Sequence, residues 1–288
     1  MDQLRAHLAA CVVALALASC GPAANRLEVH PVESAALGKS LDFAILMPPA
    51  GPQCSVAALP VVYLLHGYGD DHLALDRTGL SDVLHGYMAR GRTPCAILVL
   101  PDGERGFYTN WYDGSARYED YIIDDLIPAA ERQLGLEVPR ERRHLMGVSM
   151  GGTGALQIGL RHPGLFASIT SLSGVIVHED RIAEYLERSP MNRFAPLTRI
   201  FGDGLDREYV EAHHPYPLVR RRAPELDQRI FIGAASREDQ VFRQGSLEFH
   251  EHLAALGVDH EWVLAEGGHG WRTWLPLIER ALDYVLGS

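Results

Sequence analysis

Two residues of this chain of 288 stand in surroundings suited to nucleophilic chemistry. Ser149 is the centre of Gly147-Val148-Ser149-Met150-Gly151, inside the stretch RRHLMGVSMGGTGALQIGLRHP, and His269 sits in GGHGW. A serine hydroxyl is a weak nucleophile at neutral pH. It needs a base to take its proton and an acid to orient that base. His269, flanked by glycines that leave an imidazole accessible, is the expected base. The acid is expected in the stretch SREDQVF, where Asp239 is favoured and Glu238 is its immediate rival; Asp203 and Asp206 lie further off. Charge developing on an attacked carbonyl oxygen calls for two backbone N–H donors. Met150, next after Ser149, is one. Tyr68 in His66-Gly67-Tyr68-Gly69 is the other, with Gly67 second in order, and the His66 imidazole is expected to brace that loop.

These groups meet only if the chain between them forms the right scaffold. Val61 to Leu65 and the stretch CAILVLPDG are continuous apolar runs, as expected of strands buried on both faces of a parallel sheet. RHLMG, FASITSLSG, RIFIGAAS and HEWVLAEGG read the same way, and Leu41 to Pro49 reads as an earlier strand. Between them lie helical patterns: one continuous helix in LALDRTGLSDVLHGYMARG, one in YEDYIIDDLIPAAERQLG ending near Gly135, one from Met150, and two more in QGSLEFHEHLAALG and WLPLIERALDYVLG. Such alternation predicts an α/β class with a mostly parallel central sheet and helices on both faces. The irregular segment 175–228 returns to the sheet at both ends and is expected to form a small helical cover. Ser149, Asp239 and His269 all follow strands, so the sheet would present them on its carboxyl edge. A sharp strand-to-helix turn at Ser149 would lift its hydroxyl out of the sheet, with Gly147 and Gly151 needed because side chains there would clash. Trp111 and Tyr112, in YTNWYDG after a strand end, are candidates for lining the substrate pocket.

The formal charge of −11 leaves no cationic excess for phosphates, so nucleic acid is not an expected partner. Among fourteen histidines, the Glu248, His250, Glu251, His252 group and the His213-His214 pair lack the spacing that puts two ligands on one helical face. They read as solvated surface, and neither a metal nor a cofactor is expected. Residues 1–20 carry one arginine and a short apolar run, Leu8 to Ala18, too short to span a bilayer and fitting an export signal. The run ends in Leu17-Ala18-Ser19-Cys20, which resembles a lipobox; cleavage there would leave Cys20 as a lipid-bearing membrane anchor. The protein is then exported, either lipid-anchored or free outside the cytoplasm. Residues 21–40 are expected as a tether and 41–288 as the catalytic domain. Cys54 and Cys95 remain beyond the signal, and export makes a disulfide between them plausible.

LLHGYGDD, GVSMGGTGAL, GAASREDQVF and EGGHGWRTW together resemble the esterase-D-like branch of the α/β-hydrolases, from about Leu41 to the C-terminus. That branch includes S-formylglutathione hydrolases, feruloyl and acetyl xylan esterases, siderophore esterases and mycolyltransferases. The resemblance implies an α/β-hydrolase fold, the order nucleophile, acid, base along the chain, and Ser149, Asp239 and His269 in those roles. The loose fit of SREDQVF keeps Glu238 open as the acid. Trp271 and Trp274 after His269 point to this branch, and Trp271 joins the candidate pocket residues. The implied activity is that of a serine carboxylic-ester hydrolase working through an acyl-enzyme on short acyl or aryl esters, of polysaccharides or siderophores for example. An acyltransferase of the mycolyltransferase type, or a non-catalytic ligand-binding lipoprotein on the same fold, are the alternatives.

Overall fold

The computed structural model describes residues 27–51, 54–55 and 58–287. The expected export signal and Cys20 lie outside the described residues. Eight strands form one sheet: β1 Leu27–Ser34, β2 Lys39–Leu46, β3 Val61–Leu65, β4 Ile97–Pro101, β5 Arg143–Val148, β6 Ser168–Leu172, β7 Arg229–Ala235 and β8 His260–Ala265. Their order across the sheet is β1-β2-β4-β3-β5-β6-β7-β8. β1 and β2 pair antiparallel with each other, and β2 pairs antiparallel with β4. Every other pairing is parallel.

The apolar runs that signalled strands are buried along their whole length in β3, β4 and β6. Alternate residues go to opposite faces. Val61, Tyr63 and Leu65 join Leu145, Ile169 and Ile230 on one face, under the helices Ile127–Leu134, Met150–Arg161 and Gln240–Ala255. Val62 and Leu64 join Met146, Val148 and Phe231 on the other, under the helices Leu80–Ala89 and Trp271–Leu286. At about 25 cal/mol per Å² of apolar surface, this two-sided burial is the main force holding the layers together.

The structure departs from the sequence reading in three places. The presumed tether, 21–40, contains β1. Its eight residues pair with β2 in full register, Leu27 opposite Leu46 to Ser34 opposite Lys39, and Gly38 at φ +64 closes the hairpin. β1 is an edge strand with much of one face in water, so its sequence carries few apolar residues. The helix expected through residues 73–91 is two, Ala74–Arg77 and Leu80–Ala89, parted at Gly79, whose φ of +70 no helix interior adopts. The helix around Tyr121 widens into a π turn over Tyr121–Leu126, just ahead of Pro128. Proline has no N–H to give to the carbonyl four residues back and its ring crowds that carbonyl, which the wider turn relieves.

Cys54 and Cys95 are joined by a disulfide with Cα atoms 5.5 Å apart. Closing a loop of 41 residues stabilises the fold by about 4 kcal/mol in the chain-entropy view.

Between β6 and β7 the chain leaves the sheet and forms the expected cover, with helices Ile182–Arg188, Leu197–Phe201, Arg207–His213 and Pro215–Arg222. The Tyr68 hydroxyl donates to the Phe194 carbonyl at 2.6 Å. Tyr112 N–H donates to Ile200 O at 2.9 Å, and Arg199 pairs with Asp113 at 2.7 Å. These bonds fasten the cover to the loops on the carboxyl edge of the sheet.

Candidate active site

The strand order reverses at β3: β4 lies on one side of it and β5 on the other. The crevice outside the carboxyl ends of β3 and β5 is therefore the switch point where open α/β sheets bind ligands. Ser149 stands there, between β5 and the helix Met150–Arg161, at φ 55 and ψ −118. A non-glycine residue in such a conformation stores about 1–3 kcal/mol of strain. It is held there by its own N–H donating to Leu172 O at 2.8 Å, while its carbonyl accepts from Thr153 N at 3.1 Å. The glycine spacing follows from the same turn. A Cβ on Gly147 would fall 2.0 Å from Gly151 O, and one on Gly151 would fall 2.2 Å from Leu65 O.

His269, in the loop after β8, places Nε2 2.8 Å from Ser149 Oγ. Its Nδ1 lies 2.9 Å from Glu238 Oε2. The sequence reading favoured Asp239 as the acid, and the structure puts Glu238 there instead. Adjacent residues leave this loop in opposite directions. Glu238 turns inward, its side chain fully buried, and its Oε1 accepts the Ala235 N–H at 2.9 Å. Asp239 turns outward at the start of the helix Gln240–Ala255 and lies along the edge of the cavity described below. Asp206 caps the helix Arg207–His213, accepting from Tyr209 N at 3.0 Å, and Asp203 accepts from Leu205 N at 2.9 Å; neither approaches His269. The His269 ring stacks on Phe242, centroids 3.9 Å apart, and meets the edge of Trp274 at 4.9 Å. Trp274 is itself fixed by donating to Ser173 Oγ at 3.0 Å. Phe242 went unnoticed in the sequence, although it stands four residues after Glu238 at the start of a helix.

The first helical N–H after Ser149, that of Met150, has no helical carbonyl four residues back to bond. Across the crevice, the loop after β3 passes so close that a Cβ on Gly67 would sit 3.3 Å from Ser149 Cβ. Met150 and Tyr68 both line the space above Ser149. His66 braces this loop as expected: its Nδ1 donates to Gly67 O at 2.8 Å and its Nε2 accepts from Gly103 N at 2.9 Å.

Ser149 and His269 open onto a cavity of about 580 Å³ roofed by the cover. Its wall is largely apolar, with Phe107, Val175, Ile182, Leu186, Leu197 and Phe201 among the lining residues. The candidate pocket residues Trp111, Tyr112 and Trp271 are not in that wall. Trp111 donates to Gly106 O at 3.2 Å and lines a separate surface groove with Asp70 and Tyr118. Tyr112, 44% exposed, packs on Tyr209 and donates to Asp206. Trp271 begins the last helix and reaches away to donate to Asp70 at 3.0 Å. The pocket is instead closed by the cover, whose sequence shows no regular pattern, over Phe107, Phe242 and the helix that follows Ser149. His213 and His214, read as solvated surface, are half-buried and line the cavity. His250 is likewise half-buried, its Nδ1 2.7 Å from His260 Nε2.

This architecture is that of the α/β-hydrolases. A Staphylococcus aureus fluorophosphonate-binding serine hydrolase, FphF, superposes with a TM-score of 0.73 at 21% identity, over 91% of this chain and 98% of that one. The Esterase family, described as "Putative esterase", matches residues 34–284, and the chain belongs to that family. An esterase of Mycobacterium tuberculosis is 29% identical over 274 residues, covering 86% of this chain and 56% of that protein. The chain thus spans little more than half the length of that relative. An acetyl esterase of Caldicellulosiruptor saccharolyticus is 26% identical over 234 residues, covering 79% of this chain and 83% of that one.

Proposed function

We propose that this protein is a serine carboxylic-ester hydrolase that works through an acyl-enzyme on Ser149. The observation that carries the reading is the relay from Ser149 Oγ through His269 to buried Glu238, with steps of 2.8 and 2.9 Å, opening onto an apolar cavity. Ser149 Oγ attacks the ester carbonyl carbon while His269 Nε2 takes its proton. Glu238 holds the proton on His269 Nδ1 and stabilises the imidazolium. The oxyanion accepts from the Met150 and Tyr68 N–H groups. The carbonyl re-forms, the alcohol departs with the proton from His269, and the acyl group remains on Ser149. Water, activated by the same imidazole, then releases the acid.

Cavities of this size hold drug-sized ligands, so the acyl side accommodates an aryl or medium-length acyl group as well as a short one. The acetyl esterase among the relatives supports small esters as substrates. The lipobox-like Leu17-Ala18-Ser19-Cys20 and the Cys54–Cys95 disulfide support export to an oxidising compartment, with Cys20 as lipid anchor. The test is initial rates on p-nitrophenyl esters from acetate to palmitate, with methyl ferulate alongside and Ser149→Ala as blank. Turnover confined to the wild type is expected. Equal turnover by Ser149→Ala would overturn the mechanism.

A further inference from the structure

The base and the Tyr68 oxyanion donor belong to loops that the sheet does not join. Tyr68 follows β3 and His269 follows β8, and β5, β6 and β7 lie between those two strands. At ~4.8 Å for each neighbouring pair, β3 and β8 stand about 19 Å apart. Both loops nevertheless reach the space above Ser149, where Tyr68 and His269 line one cavity. Contacts outside the sheet must therefore set the gap between them.

Each loop is held on its own side. His66 accepts from Gly103 N, the Tyr68 hydroxyl donates to Phe194 O, and Asp70 N–H donates to Gly67 O at 3.1 Å, closing a turn over Tyr68. Across the site, His269 rests on Glu238, Phe242 and Trp274, and Trp274 is anchored on Ser173. Trp271 joins the two sides. It stands two residues past His269 and meets Trp274 edge to face, with ring centres 5.4 Å apart. Its Nε1 donates to Asp70 Oδ2 at 3.0 Å, and Asp70 stands two residues past Tyr68. A carboxylate acceptor makes such a bond stronger than one between neutral groups. Arg77, 3.6 Å from Asp70 Oδ1, is the other charge beside that carboxylate.

We propose that Trp271 is a positioning residue: its hydrogen bond to Asp70 clasps the oxyanion loop to the loop of the base and holds the Tyr68 N–H at the spacing from His269 that the transition state requires. The proposal rests on the ester-hydrolase reading above. Oxyanion donors are effective because they need not move as charge develops on the attacked oxygen. A slackened clasp therefore weakens transition-state stabilisation and leaves binding of a small substrate alone.

The test is a double-mutant cycle on p-nitrophenyl acetate, with kcat and KM measured per folded chain. Trp271→Phe keeps an aromatic ring and removes the donor, and Asp70→Ala removes the acceptor. Each is expected to lower kcat by about tenfold, less than the ~10²–10³-fold cost of losing an oxyanion donor outright, with KM changed by no more than about twofold. The double variant is expected to be no slower than either single one. Asp70→Asn, whose amide oxygen still accepts, is expected to keep kcat within about threefold of the wild type. Losses that multiply to about 100-fold in the double variant would overturn the proposal, as would an unchanged kcat in either single variant or a change confined to KM. Coupling seen in urea denaturation with kcat per folded chain unmoved would also overturn it, since Trp271 would then be a helix anchor with no part in catalysis. Should Trp271→Phe fold poorly, the contrast between Asp70→Ala and Asp70→Asn still decides. Absence of Ser149-dependent turnover in the wild type would overturn the hydrolase reading and the clasp with it, whereas independent effects in a working enzyme overturn the clasp alone.

Discussion

Replacing Glu238 by Gln separates the two carboxylates that the sequence left in competition. Glu238 Oε1 accepts the Ala235 N–H at 2.9 Å, and Oε2 accepts from His269 Nδ1 at 2.9 Å. A glutamine there must give its carbonyl oxygen to Ala235 N–H, because its amide NH2 cannot accept. The NH2 then faces His269 Nδ1, which has to become the acceptor. The ring proton moves to Nε2, the atom 2.8 Å from Ser149 Oγ, and the base is lost to the wrong tautomer. The substitution also removes the negative charge that stabilises the imidazolium. A change of this kind in a serine triad lowers kcat by about 10⁴-fold, or about 5 kcal/mol. Asp239→Asn alters an exposed side chain at a helix start and is expected to cost less than about tenfold. The assay is kcat on the best p-nitrophenyl ester for wild type, Glu238→Gln and Asp239→Asn, with the Ser149→Ala rate subtracted. A larger loss in Asp239→Asn than in Glu238→Gln would refute this reasoning.

Gly151→Ala is expected to destabilise the fold by about 3 kcal/mol or more, because its Cβ would lie 2.2 Å from the Leu65 carbonyl, which sits in a strand that cannot yield; urea denaturation measures it. Trp111→Ala is expected to change kcat/KM by no more than about threefold, since Trp111 lies outside the cavity wall, whereas Leu186→Trp should shift acyl-length preference towards shorter chains. Buried His144, its Nδ1 2.9 Å from Ser168 Oγ, has its pKa lowered to about 4, first by burial and then by Arg229. The unfolded chain binds that proton near pH 6.5 and the folded one only near pH 4. The contribution of His144 is therefore full above about pH 6.5 and falls by about 3 kcal/mol as the pH drops towards 4. The gap between urea midpoints at neutral and acid pH should narrow in His144→Gln without closing, because buried His214, also lowered to about 4, keeps its own share.

The scaffold was legible where burial is two-sided. β3, β4 and β6 announce themselves as unbroken apolar runs, and the Gly147-x-Ser149-x-Gly151 spacing reflects contacts of 2.0 and 2.2 Å that admit no side chain. β1 was hidden because an edge strand that leaves residues such as Glu28, Val29 and Glu33 in water has no apolar run to display. Ser149 and His269 could be picked from their turns. The choice between Glu238 and Asp239 could not, because it depends on which of two adjacent side chains a loop turns inward. Trp111, Tyr112 and Trp271 follow the correct sheet edge, yet their side chains point to Gly106, Asp206 and Asp70. Sequence position fixes the edge on which a residue emerges and leaves its direction open. Phe242 ends the stretch GAASREDQVF, and only its stacking on His269 gives it meaning.

The central claim is that Ser149 becomes covalently acylated. Intact-protein mass spectrometry after a rapid acid quench, with peptide mapping of the same sample, tests it most directly. During turnover of a slowly deacylated p-nitrophenyl ester, one acyl mass per chain should appear on Ser149 in the wild type, be absent in Ser149→Ala, and accumulate far more slowly in Glu238→Gln. Ester turnover with no acyl mass on Ser149, or with the acyl group on another residue, would contradict the account.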